Sequence, residues 1–173
     1  HVDSVFLVTA LYFKSRPAAK AFVVGVPPLP QSRVKAQKFA ASLLTEVDEV
    51  REVYQAARDV DVAFIGLGTL PPERGMLKEF GKVGLDLKTL KGKGAVGMLN
   101  YNYFDGRGDQ IGEYFLTLSV QDLKEMSRSA EKKVVLVSGG LHKFDALKVT
   151  LNTRMFNTLI TDHRTAQKLA SLP

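Results

Sequence analysis

Two short glycine-bearing stretches place anion-binding chemistry in this chain. Ser138-Gly139-Gly140-Leu141-His142-Lys143 follows the apolar run Val134 to Val137 and puts a lysine at the start of the next helical stretch. Glycines let backbone N–H groups approach an anion closely, and the positive end of a helix adds to their pull. A lysine in a first helical turn opposes the helix dipole, so an anionic partner there accounts for its placement. The plain alternative is a turn made by Gly139 and Gly140, with Lys143 pointing at solvent. Gly66-Leu67-Gly68-Thr69 repeats the arrangement after the run Val62 to Leu67. Pro71-Pro72-Glu73 suits a helix start and Thr69 its cap; the alternative is an ordinary strand-to-helix turn. Neither stretch is a dinucleotide fingerprint, because Pro71 stands where the third glycine belongs, and no Walker-type Gly-Lys-Ser/Thr occurs.

Other chemistries find little material. The chain has no Cys and 3 His, which removes disulfide frameworks, thiolate ligands and cysteine nucleophiles and leaves little for a metal cage. His142 and His163 are not spaced as a ligand pair and read as surface positions. Asp105 beside Gly106 reads as a turn residue, and Asp162 as a cap for a helix over Arg164 to Ala170 or as a ligand contact. Tyr101, Tyr103 and Phe104 behind the basic Lys88 to Lys93 stretch are too few for an RNA-stacking sheet. No metal and no cofactor is expected.

The elements that would carry these turns alternate apolar runs with amphipathic stretches, the pattern of a mostly parallel sheet covered by helices. The strand runs are Ala21 to Val26, Val62 to Leu67, Ala95 to Leu99, Val134 to Val137 and Thr158 to Ile160. Val47, Val50, Tyr54 and Ala57 share one helical face, and so do Phe144, Leu147 and Leu151. Tyr114 to Val120 reads as a further, antiparallel strand after the turn at Asp105-Gly106-Arg107-Gly108. Gly66 to Thr69, Gly97-Met98-Leu99-Asn100, Ser138 to Gly140 and the Asp162 turn each end a strand, and that edge is where open α/β sheets bind ligands.

A chain of 173 residues is one ordinary domain, 1–173. Its 45% hydrophobic and 24% charged residues exclude disorder, and no apolar run is long enough to span a bilayer; a cytoplasmic protein without membrane contact is expected. A net charge of +6 permits nucleic acid, an anionic metabolite or an anionic surface as partner. Arg33, Lys35, Lys38, Lys88, Lys91 and Lys93 read as solvated helix faces and turns.

The ordered set of motifs resembles the effector-binding (sugar-binding) domain of SorC-family bacterial transcriptional regulators. The matching stretches are Val26-Pro27-Pro28-Leu29-Pro30, Asp61 to Thr69, Gly94-Ala95-Val96-Gly97, Phe104-Asp105 with Gly108, Ser138-Gly139-Gly140 with Lys143, and Asn157 to Asp162. They cover residues from about 20 to the end. The resemblance implies a Rossmann-like α/β fold, akin to sugar-phosphate isomerases and glucosamine-phosphate deaminases, that binds a phosphorylated sugar effector and controls a DNA-binding domain. It makes Gly68 and Thr69 one wall of the pocket, puts Lys78 near a basic phosphate-facing position, and makes Gly139, Gly140 and Lys143 the second phosphate-facing loop.

Two departures stand out. Met98 occupies the position that the family usually fills with Asp or Glu, and a thioether cannot replace a carboxylate as acceptor for sugar hydroxyls; the ligand or its pose is expected to differ. The family domain also starts with a strand and a glycine-rich loop ahead of the matched stretch, so the first strand and loop are expected to be missing, with a pocket wall lost. Homo-oligomers, dimer or tetramer, are implied, and DNA is contacted only through an N-terminal domain not expected in this chain. The rival is a sugar-phosphate isomerase or deaminase on the same fold. It would need a placed acid and base, yet the deaminases' Asp-x-His-x-x-Gly stretch is absent and the acidic position is Met98.

Overall fold

The computed structural model describes residues 33–70, 87–112 and 115–172. Two helices come first, α1 (Arg33–Glu46) and α2 (Asp48–Asp59), followed by β1 (Val62–Thr69). A short α3 (Leu87–Gly92) leads into the strands β2 (Ala95–Leu99), β3 (Asn102–Asp105) and β4 (Gln110–Ile111). The chain then runs through α4 (Val120–Arg128), β5 (Lys133–Val137), a 3-10 turn (Leu141–Lys143), α5 (Phe144–Asn152), β6 (Thr158–Ile160) and α6 (His163–Ala170).

The described strands form one mixed sheet in the order β4-β3-β2-β1-β5-β6. The apolar runs of β1, β5 and β6 pair in parallel, with Ile65 opposite Leu136 and Val137 opposite Ile160. The β2 to β4 half is an antiparallel meander joined to β1, where Gly68 faces Met98 and Thr69 faces Gly97. This α/β sheet is the expected class, with its parallel pairing centred on β5, between β1 and β6. The expected strand Ala21 to Val26 lies outside the described residues.

Alternation along the strands divides the core. On one face Ile65, Leu67, Leu99, Phe104, Val134 and Leu136 pack against Val120, Leu123 and Met126 of α4 and Ala146 and Leu147 of α5. On the other, Met98, Tyr103 and Ile111 pack with Leu90 of α3. Over the parallel half of that second face, Phe64 is 70% exposed and Ile160 51%, with Val62 and Val137 also exposed among the described residues. Asp122 ties α2 to α4. It closes a capping box with Ser119, accepts from the Tyr54 hydroxyl and pairs with Arg58 at 3.1 Å.

Three sequence expectations are corrected. The strand expected over Tyr114 to Val120 is not formed across its described residues, 115–120. Residues 115–119 are irregular and Val120 begins α4, because the Ser119 hydroxyl and the Asp122 carboxylate cap a helix there. The segment is held by side chains instead: Asn102 Nδ2 donates to the Thr117 hydroxyl and the Leu118 carbonyl. The Asp105 to Gly108 turn does close a hairpin, but between β3 and β4, with Gly108 N–H donating to the Asp105 carbonyl. Second, Gly97 to Asn100 is not a turn on the edge where β1, β5 and β6 end. Since β2 runs antiparallel to β1, Gly97 lies inside the strand and Asn100 turns at its far end. Third, Leu151 is exposed and Thr150 is buried in its place, its hydroxyl satisfied by the Leu147 carbonyl.

Candidate functional site

Parallel pairing of β1, β5 and β6 brings three strand ends to one edge of the sheet. At the end of β1, Gly68 is a glycine with a local reason. A methyl group there would stand 2.9 Å from the Met98 Cε, so the thioether lies across the glycine. Met98 is buried among Leu90, Tyr103 and Ile111, and an apolar side chain belongs in that setting. The same β2 passes under α5 only because position 97 is also glycine: a Cβ would meet Phe104 Cζ at 2.5 Å and Ala146 Cβ at 2.9 Å.

The loop after β5 is built tightly. Ser138 extends the ladder by donating its N–H to the Ile160 carbonyl at 3.0 Å, while its buried hydroxyl has no partner among the described residues. Gly140 adopts φ +97, a left-handed backbone that side chains resist, and the His142 ring sits where a Cβ would go, 2.7 Å away. Gly140 N–H donates to Asp162 Oδ2 at 2.6 Å and to the Thr165 hydroxyl at 3.1 Å. Asp162 is the cap of α6 that the sequence offered as one of two readings, accepting from Thr165 N–H at 3.0 Å. The Thr165 hydroxyl and N–H and the Gly140 N–H hold its carboxyl well below the usual carboxylate range.

Lys143 closes the turn with its N–H on the Gly140 carbonyl and directly precedes α5. Its side chain does not point at solvent: the ammonium crosses to the end of β1 and donates to the Leu67 carbonyl at 2.8 Å. This group is half-buried, and none of the ion pairs among the described residues involves it. On the far side of the loop, Lys168 of α6 lies 4.0 Å above the Phe144 ring, a cation–π contact that sequence spacing could not reveal.

The structure therefore brings Gly68, Thr69, Gly139, Gly140 and Lys143 to the edge where β1, β5 and β6 end, with Asp162 beside them, while Met98 is buried beneath Gly68. Lys78 lies outside the described residues, as do Pro71 and Pro72. Asp105 is not in this group. It serves its own turn, accepting from Arg107 and Asp109 N–H. Burial raises its pKa, but those bonds and the Arg107 guanidinium outweigh it and leave the carboxyl below its ordinary value. His142 and His163 are exposed, and so are Lys35, Lys38, Lys88, Lys91 and Lys93. No metal-holding group of His, Asp and Glu occurs among the described residues, nor a helix long and apolar enough to cross a membrane.

A cleft lies between α2 and α4, lined by Gln55, Arg58, Asp122, Glu125 and Lys132. Its charges answer one another: Arg58 pairs with Asp122 and Glu125, and Lys132 donates to the Arg58 carbonyl. Its position away from the glycine turns and its internal neutralisation make it a helix junction.

Comparison with known proteins gives this arrangement a context. A family model described as "Putative sugar-binding domain" matches residues 13–171. The transcriptional regulator LsrR of Enterobacter sp. (strain 638) is 28% identical over 152 residues, covering 81% of this chain and 44% of that protein. The erythritol catabolism regulatory protein EryD of Brucella abortus (strain 2308) is 30% identical over 141 residues, covering 72% and 42%. The chain thus spans less than half the length of these relatives. Among solved structures, a DeoR family transcriptional regulator from Listeria monocytogenes superposes with TM-score 0.66 at 24% identity, over 86% of this chain and 57% of that one. The full-length sorbitol operon regulator SorC from Klebsiella pneumoniae gives TM-score 0.63 at 17% identity, over 83% and 43%. These likenesses show the fold.

Proposed function

The chain belongs to the family of putative sugar-binding domains, and since its relatives LsrR and EryD are regulators we propose that it is the ligand-sensing module of a SorC-type transcriptional regulator. Its effector is a phosphorylated sugar, bound at the edge where β1, β5 and β6 end. The observation that carries this reading is the Lys143 ammonium. It is half-buried and spends one donor on a neutral carbonyl, Leu67 O. An ammonium has three donors and no acceptor, so two donors remain for a ligand once the Leu67 carbonyl has taken one. A phosphate beside Thr69 and Lys143 supplies a negative charge through charge-assisted bonds. Lys78 is assigned a second phosphate-facing role by the family resemblance alone.

Met98 shapes the other part of the ligand. Packed over Gly68, it offers no carboxylate to sugar hydroxyls, so a sugar with fewer hydroxyls at this wall, or one turned the other way, fits better than a fully hydroxylated one. The module works by bias rather than by chemistry: a ligand shifts a conformational equilibrium only through its differential affinity for two states. A DNA-binding domain outside this chain would read that shift, in the cytoplasm. The exposed row of Val62, Phe64, Val137 and Ile160 supports self-association as dimer or tetramer, since apolar surface of this kind marks interfaces. Nothing in the comparisons favours an isomerase or deaminase.

The test is a thermal-shift panel of sugars and their phosphates on the purified chain, followed by assays of the stabilising compounds for turnover. Stabilisation by phosphorylated members, without conversion, is expected. Stabilisation by neutral sugars alone, or conversion of a sugar phosphate, contradicts the reading.

A further inference from the structure

The turn after β5 is already occupied on one side by a negative charge of the protein itself. Asp162 Oδ2 lies 2.6 Å from the Gly140 nitrogen and 2.6 Å from where a Gly139 Cβ would stand. The same oxygen takes the Thr165 hydroxyl at 2.6 Å. The N–H that a glycine turn would offer to a phosphate therefore already donates to a carboxylate. On the opposite side of the same turn, the Lys143 ammonium is turned away from Asp162 toward the end of β1, where it donates to the Leu67 carbonyl. The two charges of the loop are thus separated, each on its own side.

We propose that Asp162 is a specificity-determining residue. Its carboxylate holds the Gly140 side of the turn and confines the ligand's phosphate to the Lys143 side, beside Thr69. The inference rests on the reading that this edge of the sheet takes a phosphorylated sugar. A phosphate brought to Gly140 would lose that N–H to the carboxylate and meet a like charge at contact distance, which is repulsive in any medium. The same phosphate at Lys143 meets an ammonium with unused donors. The hydrogen bonds from Thr165 and Gly140 favour the charged form of Asp162.

The experiment uses inorganic phosphate as probe, followed by amide chemical shifts in ¹⁵N-labelled protein. Three proteins are compared: wild type, Asp162→Asn and Lys143→Ala. Asparagine caps helices as well as aspartate does, so Asp162→Asn keeps α6 while removing the charge. In the wild type the amides of Thr69 and Lys143 respond and that of Gly140 does not. Asp162→Asn binds phosphate roughly threefold or more tightly, the scale of an exposed charge–charge interaction, and its Gly140 amide joins the response. Lys143→Ala loses the response at Thr69. Unchanged phosphate affinity in Asp162→Asn, or a wild-type response led by Gly140, overturns the inference while leaving the phosphate reading intact. Absence of any wild-type response at Lys143 and Thr69 overturns both.

Discussion

Replacing Gly97 by alanine tests how β2 is held against the rest of the sheet. The added methyl would stand 2.5 Å from Phe104 Cζ, 3.0 Å from Phe104 Cε1 and 2.9 Å from Ala146 Cβ. Phe104 is fully buried and Ala146 nearly so, so neither the ring nor α5 has a free direction of retreat. Overpacking of this kind costs about 1 to 3 kcal/mol. Gly68→Ala is the control, one pair away along the same antiparallel ladder. There the contact under 3 Å is with Met98 Cε, the free end of a flexible side chain that can turn aside. Both changes reduce unfolded-chain entropy alike, worth about 0.4 to 1 kcal/mol in favour of the fold, so their difference isolates packing. Urea unfolding followed by circular dichroism should place the Gly97→Ala midpoint about 1 M below that of Gly68→Ala, for a slope of about 2 kcal/mol per M. Coincident midpoints would refute the placement of β2 between Phe104 and α5.

Acid unfolding should report the two depressed carboxyls. Because Asp162 and Asp105 are held below their ordinary value when folded, their stabilisation is complete above the unfolded carboxylate pKa of about 3.9 and is lost as pH falls through the folded values. Asp162→Asn should flatten the fall in urea midpoint below about pH 4, and an unaltered slope would mean that the Asp162 bonds are not made in solution. Phe64→Asp, on that exposed row of the sheet, should convert an oligomer into monomer in size-exclusion with light scattering; a wild type that is already monomeric at micromolar concentration counts against the interface. Gly140→Ala, forced into φ +97 against His142, should lower stability by about 1 to 3 kcal/mol, and a silent substitution would mean that the turn is built differently.

Much of the parallel half of this fold was legible in the sequence. Val62 to Leu67, Val134 to Val137 and Thr158 to Ile160 are continuous apolar runs, and buried parallel strands take that form. The meander was harder. Ala95 to Leu99 is an apolar run like the parallel strands, and only long-range pairing reverses its direction, which moved Asn100 off the edge where β1, β5 and β6 end. The strand expected at Tyr114 to Val120 followed β-rich composition and overlooked Ser119 and Asp122, whose three-residue spacing is a capping signal. In the site, the glycine turns and Lys143 could be read from their order along the chain. The destination of the Lys143 ammonium and the reach of Asp162 to Gly140 could not, because each joins residues far apart in sequence whose approach is set by strand pairing.

The central claim is that Lys143 meets the phosphate of a sugar, and calorimetric titration of one sugar in phosphorylated and unphosphorylated forms tests it most directly. A charge-assisted bond contributes about 1.5 to 3 kcal/mol, so Lys143→Ala should weaken the phosphorylated form roughly tenfold or more. The unphosphorylated form should be nearly indifferent. The variant also loses the bond to the Leu67 carbonyl, so its folded fraction must be matched to that of wild type before titration. Selective loss for the phosphorylated form is the predicted result. Equal loss for both forms would show that Lys143 only braces the two strand ends, and no loss for either would remove it from the ligand altogether.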